Sequence, residues 1–172
     1  MKILSAILCS MAAAGIISVG AGAAAATTTQ CTADDNRDIT IVAGNTACRA
    51  IGDESGHARS AGIDGIGYAK ATTGAVALGM GASGGIGASE GIAGLPVAVG
   101  MGPDALALTS ITTDPAPGRI GISFAMNGSQ AQVISSQRSA VCLGSAALAW
   151  DSHTGAACVA TPVGLWRRTP TS

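Results

Sequence analysis

The chain has 172 residues, 11% of them charged and only 2% aromatic, with 25 glycines and a formal net charge of −1. A charge this close to zero excludes the electrostatic footprint needed to hold nucleic acid or an acidic membrane surface. Four aromatic side chains (Tyr68, Phe124, Trp150, Trp166) exclude a thick aromatic-centred core, so the interior must be built from Ala, Val, Ile and Leu in thin layers.

The first stretch carries Met1-Lys2 and then no charge from Ile3 to Ala33. A short basic start, an apolar run and the small residues Ala24-Ala25-Ala26 describe a secretory signal peptide over 1–26, cleaved after Ala26. The competing reading is a retained membrane anchor, but the Gly- and Ala-rich second half of the run is only weakly apolar. Cys9 lies too early in the run for a lipoprotein and follows the bulky Leu8. The mature part, 27–172, has the length of a single domain. It is expected in the extracellular space or the cell envelope, with no membrane span after cleavage.

Removing Cys9 leaves Cys31, Cys48, Cys142 and Cys158. An even number in a small exported chain reads as disulfides, and the absence of C-x-x-C disfavours zinc. Three connectivities are open. The local pairs Cys31–Cys48 and Cys142–Cys158 are favoured, each closing a loop worth roughly 3 kcal/mol in the chain-entropy model. They would clamp the two ends, whereas the alternative joins the ends to each other.

In chain order, 27–37 is polar and expected to be irregular. Residues 38–43 (DITIVA) alternate as a strand, followed by a turn at Gly44-Asn45. Residues 50–62 carry Asp53, Glu54, His57 and Arg59 among small residues, as in a solvated loop.

Residues 65–109 are dominated by Gly and Ala and repeat themselves. Val76-Ala77-Leu78-Gly79-Met80-Gly81 returns as Val97-Ala98-Val99-Gly100-Met101-Gly102, and such recurrence signals stacked units. Each copy alternates, with Val76, Leu78 and Met80 on one side and Ala77, Gly79 and Gly81 on the other. Period two indicates a strand, and this much glycine argues against a helix. Both faces are uncharged, so both are expected to be covered, in a parallel sheet or a β-solenoid. Small residues on one face suit layers that approach closely. The run 74–79 and the run 96–108 (PVAVGMGPDALAL) resemble the head repeats of trimeric autotransporter adhesins. That resemblance implies a parallel β-roll and self-association. The chain as a whole resembles small exported actinobacterial proteins, of the mycobacterial type, that have no assigned function. The features that carry this are the export signal, the four later cysteines, the Gly/Ala centre and the segment 142–151.

Gly79-Met80-Gly81-Ala82-Ser83-Gly84 matches G-x-G-x-x-G, but a dinucleotide site needs a helix next, and Gly85-Ile86-Gly87 is a poor helix start. Residues 84–89 echo a calcium nonapeptide with Ser89 in place of the carboxylate and no recurrence. No cofactor or metal is expected.

Two prolines and a glycine break the chain over 112–118. Residues 119–126 then alternate, with Ile120, Ile122, Phe124 and Met126 on one face. Asn127-Gly128 comes next, which predicts a type I′ hairpin turn with 129–135 as the partner strand, Ala131 and Val133 facing the core. The loop 150–155 is expected to join two further strands, so that Cys142 and Cys158 staple neighbouring strands of a hairpin segment, 119–161. Near the end, Trp166 is expected to be docked and Arg167 and Arg168 solvated.

For catalysis, His57 and His153 are the only bases of the usual kind. Asp151-Ser152-His153 holds all three triad types, yet consecutive residues rarely converge on one point. Gly81-Ala82-Ser83-Gly84-Gly85 matches G-x-S-x-G without the helix the elbow requires. No catalytic residue is assigned. The expected whole is an all-β protein with a short Gly/Ala-rich roll plus β-hairpins, fastened by two disulfides. The expected role is a non-catalytic structural or interaction protein that associates with itself through the repeat or with an envelope component. Trp150, His153, Trp166, Arg167 and Arg168 are candidate partner contacts. A small ligand-binding or inhibitor-like module is the second reading, and a minor hydrolase the third.

Overall fold

The computed structural model describes residues 26–112 and 118–170. Residues 1–25, which hold nearly all of the expected signal peptide, the proline-bearing stretch 113–117 and residues 171–172 lie outside the described residues. In chain order the strands are β1 (Thr28–Ala33), β2 (Asp38–Ala43), β3 (Thr46–Gly52), β4 (His57–Ile63), β5 (Ile66–Thr72), β6 (Val76–Ala82), β7 (Ile86–Ile92), β8 (Leu95–Met101), β9 (Leu106–Ile111), β10 (Ile120–Met126), β11 (Gln130–Ile134), β12 (Ser139–Leu143), β13 (Ala147–Asp151), β14 (Ala157–Thr161) and β15 (Gly164–Arg168). A single 3₁₀ turn, Ser135–Gln137, is the one helical element among the described residues.

The strands form two sheets. Sheet A runs β1-β4-β6-β8-β10-β13-β14-β15 and sheet B runs β12-β11-β9-β7-β5-β3-β2. Strands β4, β6, β8 and β10 are mutually parallel, as are β3, β5, β7, β9 and β11. The chain therefore alternates between sheets and advances one layer per pair of strands, a β-solenoid of about four turns. One turn carries the chain from His57 to its neighbour Val76 in sheet A, and from Ile66 to its neighbour Ile86 in sheet B. The turn from Leu95 to its neighbour Ile120 is longer, because it absorbs the proline-bearing break. Antiparallel strands close both ends of both sheets: β1 on β4, β2 on β3, β12 on β11 and β13 on β10.

The strand alternation sorts side chains by size rather than by polarity. In β6, Ala77, Gly79 and Gly81 are buried and Val76, Leu78 and Met80 point outward. Two alanine-rich clusters fill the ends of the interior, one around Ala33, Ala58 and Ala77, the other around Ala98, Ala125 and Val133. Between them the sheets meet at a glycine waist. A Cβ on Gly79 would lie 1.8 Å from the Tyr68 carbonyl oxygen, and one on Gly87 would lie 2.0 Å from that of Met80. The sheets are thus far closer there than the roughly 10 Å of an ordinary sandwich. Two interior serines bond to backbone: Ser89 donates to the Pro96 carbonyl (3.1 Å) and Ser123 to the Leu108 carbonyl (2.7 Å).

Both favoured disulfides are present, Cys31–Cys48 and Cys142–Cys158, with Cα–Cα distances of 5.7 and 5.8 Å. Each joins sheet A to sheet B, β1 to β3 at one end and β14 to β12 at the other. Cys142 and Cys158 therefore do not staple neighbouring strands of one sheet, as expected from sequence.

Three further expectations need correction. Residues 28–33 form β1 rather than an irregular segment, because β1 pairs with β4 along its whole length. The charged stretch 50–62 is mostly strand, and only the corner between β3 and β4 is loop. Asn127-Gly128 does take positive φ at both residues (49° and 73°), but it turns a corner between sheets. Strands β10 and β11 lie in opposite sheets and do not pair. The same paired positive φ recurs at Thr73-Gly74, Ser83-Gly84 and Ala93-Gly94, so here the motif marks solenoid corners. The stacked units inferred from the repeat are present: the repeated hexapeptides begin at Val76 and Val97 in neighbouring parallel strands, with Leu78, not Val76, beside Val97. The copies sit out of register by one full period of the alternation, which preserves the faces while placing Met80 beside Val99.

Candidate functional site

The outward side of sheet A is the feature that a folded monomer does not explain. Lateral register sets its side chains in rows. One row runs Leu78, Val97, Ile122, Trp150 across β6, β8, β10 and β13. The next runs Met80, Val99, Phe124, Leu148, Val159. A third places Ala82 beside Met101 and Met101 beside Met126. Val76, Leu95 and Ile120 complete the rim. No charged residue occupies an outward position from β6 to β14. Val76, Leu148 and Trp150 are each 38% exposed. On β6, β8 and β10 the side chains large enough to build an ordinary core are on the outside, because the glycine waist has no room for them. Val76, Leu78, Val97 and Val99 thus do not form the protein's own core.

The flanks are polar. Thr32 on β1 lies beside Arg59 on β4, which lies beside Leu78. At the other edge Arg168 lies beside Ala157 and Trp166 beside Val159. Strand β15 is exposed throughout, and Trp166 is 56% exposed rather than docked. Arg167 is aligned with Cys158, on the opposite side of the strand from Arg168. A shallow concavity of about 390 Å³ lies where β1 and β4 meet the apolar rows, lined by Gln30, Arg59, Leu78, Met80 and Val99 among others.

The outward side of sheet B is built differently. Asp38 and Arg49 form an ion pair at 2.7 Å, and Lys70 and Glu90 another at 2.8 Å. Arg49 holds the Asp38 carboxyl below the usual carboxylate range, chiefly by its hydrogen bond. Glu90 holds the Lys70 ammonium above its usual range in the same way. Tyr68 and Gln132 are further polar outward residues. Sheet B presents to water the polar groups that sheet A lacks.

The histidines are apart. His57 begins β4 and bonds through Nδ1 to Asp34 Oδ1 at 2.7 Å. His153 is in the β13–β14 turn, four strands away on sheet A, about 19 Å at the usual strand spacing. Asp151 is buried and organises its own turn, accepting from the His153 backbone N–H (3.0 Å) and the Thr154 hydroxyl (2.9 Å). Ser152 Oγ accepts from the Ile120 N–H at 2.8 Å. Asp151, Ser152 and His153 therefore do not converge as a triad. Asp53 likewise caps a corner. The Thr73 N–H, followed by those of Ser55 and Gly56, holds its carboxyl below the usual range. The string 79–84 runs along β6 into its corner and leads into β7, not a helix.

Sequence reasoning had the alternation right and named Trp150 and Trp166, but it missed that Phe124, Ile122 and Leu148 join the repeat in one surface. The signal was the shared small-large alternation of 76–82, 95–101 and 120–126. Two inter-sheet disulfides are the chemistry of an oxidising, non-cytoplasmic compartment. No helix among the described residues is long and apolar enough to cross a membrane. No curated protein and no solved structure matches the chain. A family of unknown function, DUF6764, matches residues 1–161, and the chain belongs to that family.

Proposed function

We propose that this is an exported, non-catalytic structural or interaction protein of the cell envelope or extracellular space, and that it works through the outward side of sheet A. The observation that carries the reading is the uncharged apolar surface from β6 to β14. Monomeric proteins seldom expose contiguous apolar patches beyond roughly 300–600 Å² without using them. The N-terminal segment supplies export, and the two end disulfides keep the sheets together outside the cell. A photo-crosslinking benzoylphenylalanine placed at Val99 in the native cell tests this, with the same residue at Leu108 on sheet B as control. Adducts of higher mass are expected from position 99 and not from 108. A chain that stays uncrosslinked at 99 refutes the reading.

A further inference from the structure

The composition of the two sides of sheet A is inverted relative to a sandwich. The inner side carries Ala and Gly, with room only for a sheet in near contact. The outer side carries Val, Leu, Ile, Met and Phe, which in two-sheet proteins fill the roughly 10 Å between packed sheets. We infer that the missing sheet is sheet A of a second copy, so that the protein pairs face to face as an isologous dimer. This rests on the interaction reading above and names its partner.

Three observations favour a second copy over other occupants. The five strands from β6 to β14 span about 24 Å at the usual spacing, and a strand of β6's length spans about 23 Å. Their product, about 550 Å² in flat projection, is about two thirds of the roughly 800 Å² per partner of a standard interface. An isologous contact sets like against like, and the absence of charge between β6 and β14 removes the repulsion that would forbid it. Arg59 and Arg168 sit on the two flanking strands, where they stay in water at the rim of the contact.

Val99 on β8 and Phe124 on β10 are laterally paired at the middle of this face, so each lies near the two-fold axis and close to its counterpart. The test is the molar mass, by light scattering, of the oxidised protein purified from cells that export the full chain. Wild type is expected at twice the mass of one chain. Val99→Lys and Val99→Glu alone are each expected at half the wild-type mass, and their equimolar mixture is expected to return to it. Leu108→Lys on sheet B keeps the wild-type mass. If either variant loses its disulfides or its circular dichroism, Phe124→Lys and Phe124→Glu replace the pair. A monomeric or trimeric wild type, or a dimer that survives Val99→Lys, overturns the proposal. So does failure of the folded Lys and Glu variants to recombine. A monomer that sediments with phosphatidylglycerol vesicles would assign the face to lipid instead. Adducts at position 99 to another protein, from a wild type that is monomeric, would keep the interaction reading and remove the self-pairing.

Discussion

Replacing Gly79 by Ala adds one methyl group at the waist between the sheets. That carbon would lie 1.8 Å from the Tyr68 carbonyl oxygen, 2.7 Å from the Tyr68 carbonyl carbon and 3.0 Å from the Gly87 oxygen. All three are backbone atoms, so no rotamer change relieves the contact, and the sheets themselves must part. Overpacking that side chains can absorb costs about 1–3 kcal/mol, so a backbone-limited clash belongs at about 3 kcal/mol or above. For a chain of this size that is a fall in Tm of about 6–12 °C. Gly74→Ala is the matched control, since Gly74 has φ +76° with nothing within 4 Å of its Cβ. It meets only the left-handed backbone penalty of about 1–2 kcal/mol. Urea unfolding of the oxidised proteins measures both, through midpoints at unchanged m. If Gly79→Ala costs no more than Gly74→Ala, the sheets are not in backbone contact and the account of the waist is wrong.

Replacing both Cys142 and Cys158 by Ser opens a link with a sequence separation of 16, with an expected loss of about 3 kcal/mol. Hydrogen exchange should rise first in β12, β14 and β15, and a uniform rise along the stack would contradict the end-clamp role. Asp53 has a folded pKa below its unfolded value of about 3.9. Its contribution is therefore present above that pH and is lost as pH falls through the folded value. Asp53→Asn should lower the urea midpoint at pH 7, and the gap from wild type should close on acidification below about pH 4. A gap that persists unchanged into acid would show that the carboxylate's charge is not what holds the corner.

The period-two pattern of 76–81 and 97–102 was legible because alternation is a local property, and the side occupied by small residues follows from it. The pairing of Cys31 with Cys48 was legible for a similar reason, as their sequence separation is only 17. The destination of each strand was not legible. Asn127-Gly128 specifies two residues of positive φ, and a hairpin and a corner both use them. Which forms depends on whether β10 finds β8 or β11 beside it, a choice made by contacts across the stack. The hexapeptide repeat announced stacking but not register. Any shift by one period of the alternation keeps the same face inward. Sequence identity alone could therefore not tell whether Val76 or Leu78 stands beside Val97. His57 and Asp34 lie on separate elements, far apart along the chain, and no local pattern announces their contact.

The reversal of strand direction at both ends has a consequence for how this architecture can vary. A parallel stack has open edges onto which further chain could add without limit. Here antiparallel strands form the edges and end the parallel stack, while between them each layer meets only its neighbours. The molecule therefore has fixed terminals and an extensible middle, like a ladder whose end rungs are welded. Gain or loss of a whole turn, such as the stretch from His57 up to Val76, leaves the terminals, their cross-links and the inside-outside assignment intact. Loss of a single residue within a strand turns every large side chain beyond it toward the waist. Length variants in its relatives should accordingly come in units of a turn, or as corner insertions such as the one between β9 and β10.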